Sequence, residues 1–307
     1  MIIASAMTTD AEFRAAGTDL SERRRSGISR GPLIDIIRSG ESGISWHANG
    51  AATIGALTTI AAIAADARLA AAYPGIAASA QGLATPQVRR LATLGGNLAQ
   101  RSRCWYFRNP GIAACLKKGG SACAARTGNH LYGVAFDLGD CVAPHPSTMA
   151  VALLAYGAHV DTTHRNGLTI GELLGDGSDG RRDHALAPDE MIVRIVLPPP
   201  LPGERAAYKR AIGRAYAEWP LAEVCARAVI ADGRFQFISL AGGGVAPVPL
   251  RLSACETALR GQATDAAAIA EAAKQATADA RPLPMTGYKL DLLEGLVRDL
   301  LERLAAE

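Results

Sequence analysis

Aromatic residues are scarce, at 5% of the 307 residues, with only 3 tryptophans. Hydrophobic residues make up 49% and charged residues 20%, close to globular averages, so the core has to be aliphatic. Long apolar runs are also missing. The Ala/Ile/Leu-rich stretch from Leu57 to Ala80 is broken by Asp66, Arg68 and Pro74, and a bilayer span needs roughly 18–20 apolar residues. No membrane span is therefore expected. Met1 to Met7 lacks a basic leader and a full apolar core, so it does not read as a secretion signal. A formal net charge of only +3 argues against a dedicated nucleic-acid binder.

Acidic residues are absent between Asp66 and Asp137, where Arg68, Arg89, Arg90, Arg101, Arg103, Arg108, Lys117, Lys118 and Arg126 all fall. A basic span of this kind calls either for a solvated face or for an anionic partner, and a bound anion is the expectation. Two further absences limit the chemistry. No G-x-G-x-x-G follows a strand, so a Rossmann site is not supported, and no C-x₂₋₄-C knuckle of the kind usual in structural zinc sites is present.

The length suits two compact domains. Thr58 and Thr59 can cap a helix carrying Ile60, Ile63, Ala64 and Leu69, and a second helix follows Pro74. Leu91 to Leu98 reads as a tight Gly-Gly turn, because paired glycines permit positive φ and close backbone approach. Arg101 to Asp140 loses both hydrophobic periods and reads as a long irregular loop, a kind that is usually functional. Met149 to Tyr156 predicts a helix, and Ala158 to Thr162 and Met191 to Leu197 predict strands. Pro198, Pro199, Pro200 and Pro202 mark a domain boundary. Beyond it the pattern predicts an element at Tyr208 to Ile212 and a helix from Leu221 to Ile230. It then predicts a hairpin turn at Ala231-Asp232-Gly233-Arg234, a strand from Phe235 to Leu240, and helices at Ser253–Arg260, Asp265–Asp279 and Leu290–Leu304.

Cys104, Cys115, Cys123 and Cys141 lie on the irregular stretch, separated by ten, seven and seventeen residues. Four thiolates are a full ligand set for tetrahedral zinc or for a cubane iron-sulfur cluster, and spacing alone leaves both open beside unrelated thiols or disulfides. The surrounding arginines and lysines could balance an anionic thiolate site. Cys225 and Cys255 lie in helical patterns and read as packing residues.

The stretch Gln87-Val88-Arg89-Arg90-Leu91-Ala92-Thr93-Leu94-Gly95-Gly96-Asn97-Leu98 resembles the flavin loop of the FAD-binding medium subunits of molybdenum hydroxylases, the xanthine dehydrogenase, aldehyde oxidoreductase and CO dehydrogenase family. Ala15-Ala16-Gly17-Thr18-Asp19-Leu20 resembles that family's first pyrophosphate loop, and Ile54 to Thr58 its next strand and helix start. Tyr208-Lys209-Arg210, Gly243 to Arg251 and Gly287-Tyr288-Lys289 are similar to its C-terminal domain. Arg103-Cys104-Trp105-Tyr106-Phe107 and Ser121 to Ala125 resemble the periplasmic aldehyde oxidoreductase branch, whose FAD subunit holds a 4Fe-4S cluster.

The resemblance implies an α+β protein. Residues 1–200 would form an FAD-binding domain of the PCMH type, like that of vanillyl-alcohol oxidase, with the cluster loop inserted at 101–142. Residues 201–307 would form a smaller α+β domain like the CO dehydrogenase flavoprotein C-terminal domain. It implies FAD contacts from Ala15, Ala16, Gly17, Thr18, Asp19 and Leu20 at the pyrophosphate, and from Leu83, Thr93, Leu94, Gly95, Gly96 and Asn97. Thr148 stands at the ribityl position, with Ile192 and Lys209 beside the isoalloxazine. Cys104, Cys115, Cys123 and Cys141 would ligate the 4Fe-4S cluster. It further implies a large partner holding the molybdenum cofactor, a small partner with two 2Fe-2S clusters, and an external electron acceptor. The compartment would be cytoplasmic, or periplasmic if a partner carries a twin-arginine signal. Two rivals remain: an FAD subunit whose cysteines bind structural zinc or no metal, and a non-enzymatic, metal-stapled interaction module.

Overall fold

The computed structural model describes residues 11–213 and 216–306; the apolar opening from Met1 to Met7 lies outside them. Strands β1 (Glu12–Arg14) and β2 (Leu33–Asp35) pair in parallel around α1 (Leu20–Arg25). A five-stranded sheet follows in the order β3 (Ile44–Trp46), β4 (Ala52–Gly55), β7 (Ile192–Leu197), β5 (His159–Thr162), β6 (Leu168–Thr169). All its pairings are antiparallel. Between β4 and β5 come α2 (Ile60–Ala65), α3 (Ala67–Ala72), α4 (Pro74–Gly82), α5 (Pro86–Leu91) and α6 (Leu94–Leu98). Next are two short turns of helix, α7 (Trp105–Arg108) and α8 (Ala124–Thr127), and then α9 (Thr148–Ala155). Helix α10 (Ile170–Leu174) follows β6.

The helices start where side-chain oxygens satisfy their orphan amides. Thr59 caps α2, Thr85 caps α5, and Thr169 closes a capping box with Glu172 on α10. Ile54, Ile60, Ile63, Leu69, Ile76, Val160 and Ile195 are fully buried in one aliphatic core with the inner residues of α9. The second sheet is antiparallel, in the order β11 (Leu250–Arg251), β10 (Arg234–Gly243), β9 (Ala222–Ala231), β8 (Glu204–Ala211). It packs with α11 (Ser253–Leu259), α12 (Ala266–Lys274) and α13 (Tyr288–Ala306) around a second core. From α13 it takes Leu293, Leu296, Val297, Leu300, Leu301 and Leu304, a helical stripe. The mixture of helices and antiparallel sheets is the α+β class expected. No helix among the described residues is long and apolar enough to cross a membrane.

Three local expectations are corrected. Leu221 to Ile230, expected to be helical, contains the strand β9, whose first seven residues are all buried. A central strand covered on both faces shows no alternation, so Ala-rich sequence there imitates a buried helix. Leu91 to Leu98 is not a positive-φ turn; Thr93 caps α6, and both glycines lie within that helix. Arg101 to Asp140 is not wholly irregular, since it holds α7, α8 and a 3-10 turn at Leu116–Lys118. The hairpin at Asp232-Gly233 matches expectation, with φ of 52° and 66°.

The two halves meet at the C-terminal end of α9. Arg227 on β9 donates to the Ala155 carbonyl at 2.9 Å, and the Ser239 hydroxyl of β10 donates to the same oxygen at 2.6 Å. A cation at the negative end of a helix is electrostatically favoured. Arg227 also forks onto Glu204 at 2.8 and 2.7 Å, both side chains nearly inaccessible. Arg227→Leu should therefore destabilise the chain by about 3–5 kcal/mol, because it strands a buried carboxylate. Adding Glu204→Leu should recover much of that loss, and urea denaturation of the single and double variants measures both.

Candidate functional site

Five chain segments meet around a cleft of about 290 Å³. The loop before α1 brings Thr18 and Asp19, the turn after α4 brings Leu83 and Ala84, and α6 brings Gly96 and Asn97. Thr148 comes from the first turn of α9, Arg210 from β8, and Trp219 and Pro220 from the connection between β8 and β9. Local bonding fixes α6, the start of α9 and the first loop. Gly95 N donates to Ala56 O at 2.8 Å, and a Cβ on Gly95 would lie 2.9 Å from the Ala56 Cβ, so only glycine lets α6 dock on the end of β4. The Ser147 hydroxyl donates to Asn97 Oδ1 at 2.6 Å while accepting from Ala150 N at 3.0 Å, which ties α6 to the start of α9. Gly17 turns the first loop with φ of 72°.

Asp19 is the electrostatic centre of the cleft wall. Its carboxylate accepts from Arg108 Nη2 at 2.7 Å, from Arg23 Nε at 3.1 Å and from Arg101 N at 3.2 Å, and pairs with Arg103 Nη1 at 2.8 Å. Burial alone would raise its pKa; Arg103, Arg108 and Arg23 outweigh that and hold it below the ordinary carboxylate value. Arg103 also reaches Glu22 at 3.1 Å and lies over the Trp219 ring at 4.7 Å. Across the cleft, Thr148 and Tyr208 both donate to Glu223 Oε2, at 2.8 and 2.6 Å. Burial pushes the Glu223 carboxyl up.

The basic span finds its anions inside the protein. Arg103 and Arg108 take Asp19 and Glu22, Arg101 and Lys117 converge on buried Asp183, and Arg126 pairs with Asp137 at 2.7 Å. The expectation of a bound anion for these five residues is thus corrected: carboxylates distant in sequence neutralise them.

Of the residues expected at the flavin, Thr18, Asp19, Leu83, Gly96, Asn97 and Thr148 line the cleft together. Leu20, Thr93, Leu94 and Gly95 are buried and do not line it, and Ile192 is buried in the first core. Ala15 packs with the small cluster of Ile36, Leu57 and Met191, and Ala16 and Gly17 are half-buried beside it in the chain. Lys209 pairs with Asp299 on α13 and does not line the cleft. Its strand neighbour Arg210 does. Arg210, Trp219 and Glu223 were not anticipated. The only signal for Trp219 was its rarity, and nothing local marked Glu223.

Cys104, Cys115 and Cys123 each immediately precede a short helical turn. Burial pushes the Cys104 thiol up against the lowering effect of the Tyr106 and Phe107 amides, while the amides of Val142, Ala125 and Arg126 act to lower Cys123 and that of Ala143 acts to lower Cys141. Cys123 and Cys141 share a hydrogen bond, which together with these amides draws the Cys123 thiol down to about 5 and pushes Cys141 up. Amide donors directed at sulfur suit thiolates. None of the six cysteines forms a disulfide. Among the described residues, no three potential ligands gather closely enough to hold a metal. Cys225 and Cys255 are fully buried in the cores, although Cys225 sits on a strand and not on a helix.

Comparisons with known proteins agree over nearly the whole length. Residues 2–200 match the FAD binding domain in molybdopterin dehydrogenase, and residues 206–304 match the CO dehydrogenase flavoprotein C-terminal domain. The aldehyde oxidoreductase FAD-binding subunit PaoB of Escherichia coli K12 is 34% identical over 256 residues, covering 81% of this chain and 79% of that protein. Two solved structures share the fold. Carbon monoxide dehydrogenase from Hydrogenophaga pseudoflava matches with a TM-score of 0.75 at 23% identity, covering 98% of this chain and 92% of that one. Quinoline 2-oxidoreductase from Pseudomonas putida 86 matches with a TM-score of 0.76 at 19% identity, covering 99% and 92%.

The carboxylates at the centre of these arginine clusters set an acid limit. Asp19 and Asp183 both have depressed pKa values, so their stabilisation is present above the ordinary carboxylate value and is lost as pH falls from about 5 toward 2. Asp19→Asn and Asp183→Asn should each cost about 3–5 kcal/mol at neutral pH and flatten the acid limb. Thermal unfolding across this range checks the slope, and a wild-type slope in both variants would remove these residues from the account.

Proposed function

Because the chain belongs to the FAD-binding medium subunits of the molybdopterin dehydrogenase family, and so is a component of an oxidoreductase, we propose that it binds FAD in the cleft that α1, α6, α9 and the edge of the second sheet line and a 4Fe-4S cluster on Cys104, Cys115, Cys123 and Cys141. In this reading it is the electron-transfer subunit of a heterotrimeric molybdenum hydroxylase of the aldehyde or xanthine type. A large partner with the molybdenum cofactor oxidises the substrate, a small partner with two 2Fe-2S clusters relays electrons, and this chain passes them to an external acceptor. Bound FAD would supply storage of two electrons with release singly or in pairs.

The observation that carries the flavin part is the convergence of Thr18, Asp19, Gly96, Asn97 and Thr148 from three separate segments onto one cleft. α1 begins in the loop expected to hold the pyrophosphate, and Gly17 turns that loop with φ of 72°. Arg23, Arg103 and Arg108 are matched there by Asp19, Glu22 and Glu12, so this part of the wall is a charge-balanced, fixed surface. Thr148 offers a hydroxyl, and Arg210 takes the part of the cation beside the ring that the sequence assigned to Lys209. Amides at three of the sulfurs, with Lys117 and Arg126 acting electrostatically on Cys141 and Cys123, support the cluster.

A second reading, an FAD subunit whose cysteines carry no metal, is favoured by the absence of a gathered ligand trio among the described residues. Iron analysis separates the two. The purified chain should contain one FAD and about four iron atoms, the cubane stoichiometry. Replacing any one of the four cysteines by Ser should remove that iron, while Cys225→Ser and Cys255→Ser should not. Full iron in all four single variants, with an unchanged low-temperature EPR signal after reduction, removes the cluster from the proposal.

Gly96→Val tests the flavin site. A Cβ there would stand 2.9 Å from Thr93 Oγ1, the oxygen that caps α6, and the added methyls would enter the cleft wall. The folded variant should lose most of its FAD, read by absorbance near 450 nm; stoichiometric FAD in it would place the cofactor elsewhere.

A further inference from the structure

The cysteine loop and the connection that leads into β9 enclose a second cavity, of about 350 Å³, which the flavin proposal leaves unused. Four aromatic side chains are exposed among the described residues, Trp105, Tyr132, Tyr216 and Trp219, and three of them, all but Tyr216, line this one cavity. Trp105 and Tyr132 stand against each other with ring centroids 5.6 Å apart. Exposed aromatics collected around a hollow suit a flat ring, which buries their faces without adding polar groups that need partners.

Two buried polar groups give the cavity direction. His130 Nδ1 faces two carbonyl oxygens, those of Ala125 at 3.1 Å and Gly128 at 3.0 Å, and must carry the ring proton. Nε2 is then a bare acceptor, and it is buried without a partner. Lys289 is 1% exposed and also lines the cavity; its Nζ donates to Gly244 O at 2.6 Å and has further N–H groups to give. The cavity thus offers the Lys289 donor and the unused His130 acceptor beside its aromatic walls, with Arg103, Asn129 and Glu218 as its other polar lining. It shares Arg103 and Trp219 with the FAD cleft, and Cys104 is part of its lining.

We propose that this cavity binds a planar aromatic electron acceptor of the quinone class, with one carbonyl oxygen accepting from Lys289 Nζ and, after reduction, a hydroxyl donating to His130 Nε2. The inference rests on the reading that the neighbouring cleft carries FAD. Two electrons from the reduced flavin and two protons convert both C=O groups to C–OH. One proton comes from the Lys289 ammonium, which solvent refills, and the other comes from solvent. Burial draws the Lys289 ammonium down to about 7, so proton donation from it near neutral pH is not costly.

The test uses the full chain with its flavin and menadione as probe. Equilibrium dialysis should give saturable binding of one menadione per chain. Tyr132→Ala and Trp105→Ala, both at exposed positions that the core does not need, should each weaken it about tenfold. Reoxidation of the photoreduced flavin by menadione should slow in both variants, while reoxidation by ferricyanide, which needs no aromatic pocket, and FAD content should stay at wild-type levels. If the flavin-loaded chain shows no saturable binding, or both variants bind as the wild type does, the quinone site is wrong and the flavin reading stands. If the chain binds menadione with the predicted variant effects but carries no flavin, the flavin reading falls, and with it the role of the cavity in electron transfer.

Discussion

The carboxylate of Asp19 is the point on which the rest of the cleft depends. A buried carboxylate is tolerated only when its lone pairs are filled by donors, and here three guanidinium groups and a backbone amide fill them. Arg23 comes from the helix that follows the loop, whereas Arg103 and Arg108 come from the segment that carries the cysteines. One acidic residue thereby fastens the loop before α1 to a region more than eighty residues away in the chain. Arg103 continues the line outward, since its guanidinium also lies over Trp219. The first loop, the thiol-bearing segment and the second sheet therefore hold their relative positions through one charged cluster.

The aliphatic cores stand behind this arrangement. Alanine, isoleucine and leucine fill the space between α2, α4, α9 and the first sheet, and a helix with so little room at its surface passes close to whatever it packs on. A Cβ on Gly243 would come within 2.3 Å of the Val151 Cγ2, which shows how tightly β10 lies against α9. Arg227 and Ser239 then close the last carbonyl of the same helix. α9 consequently belongs to both halves: its first turn supplies Thr148 to the cleft, and its last turn is finished by the second sheet.

Elements with strong local signals were legible in the sequence. Thr59 announced α2, the Asp232-Gly233 pair announced the hairpin, and the leucine repeat announced α13, because capping, turn chemistry and amphipathic period all act within a few residues. β9 was misread because complete burial erases alternation. At the site, the loop residues Thr18, Gly96 and Asn97 stood in recognisable motifs, while Arg210 and Trp219 reach the cleft only through the pairing of β8 with β9. The basic span was misjudged for a related reason. The carboxylates that neutralise it, at Asp19, Asp137 and Asp183, all lie outside it, and no local count of charge could have paired them.

Glu223 gives the meeting of α9 with the second sheet a chemical sense. It sits fully buried there, receiving hydroxyls from Thr148 of α9 and Tyr208 of β8, and burial raises its pKa against the opposing hydrogen bonds of Tyr208 and Thr148 and the charge of Arg210. A carboxyl whose pKa burial raises makes folding less favourable as the pH rises past the ordinary carboxylate value, because the unfolded chain gives up that proton more readily. Its contribution therefore runs in the opposite sense to those of Asp19 and Asp183, whose clusters weaken in acid. The fold is thus opposed from both ends of the pH scale: acid withdraws the charge that its arginine-bound aspartates supply, and alkali demands a charge at this one glutamate that its surroundings disfavour.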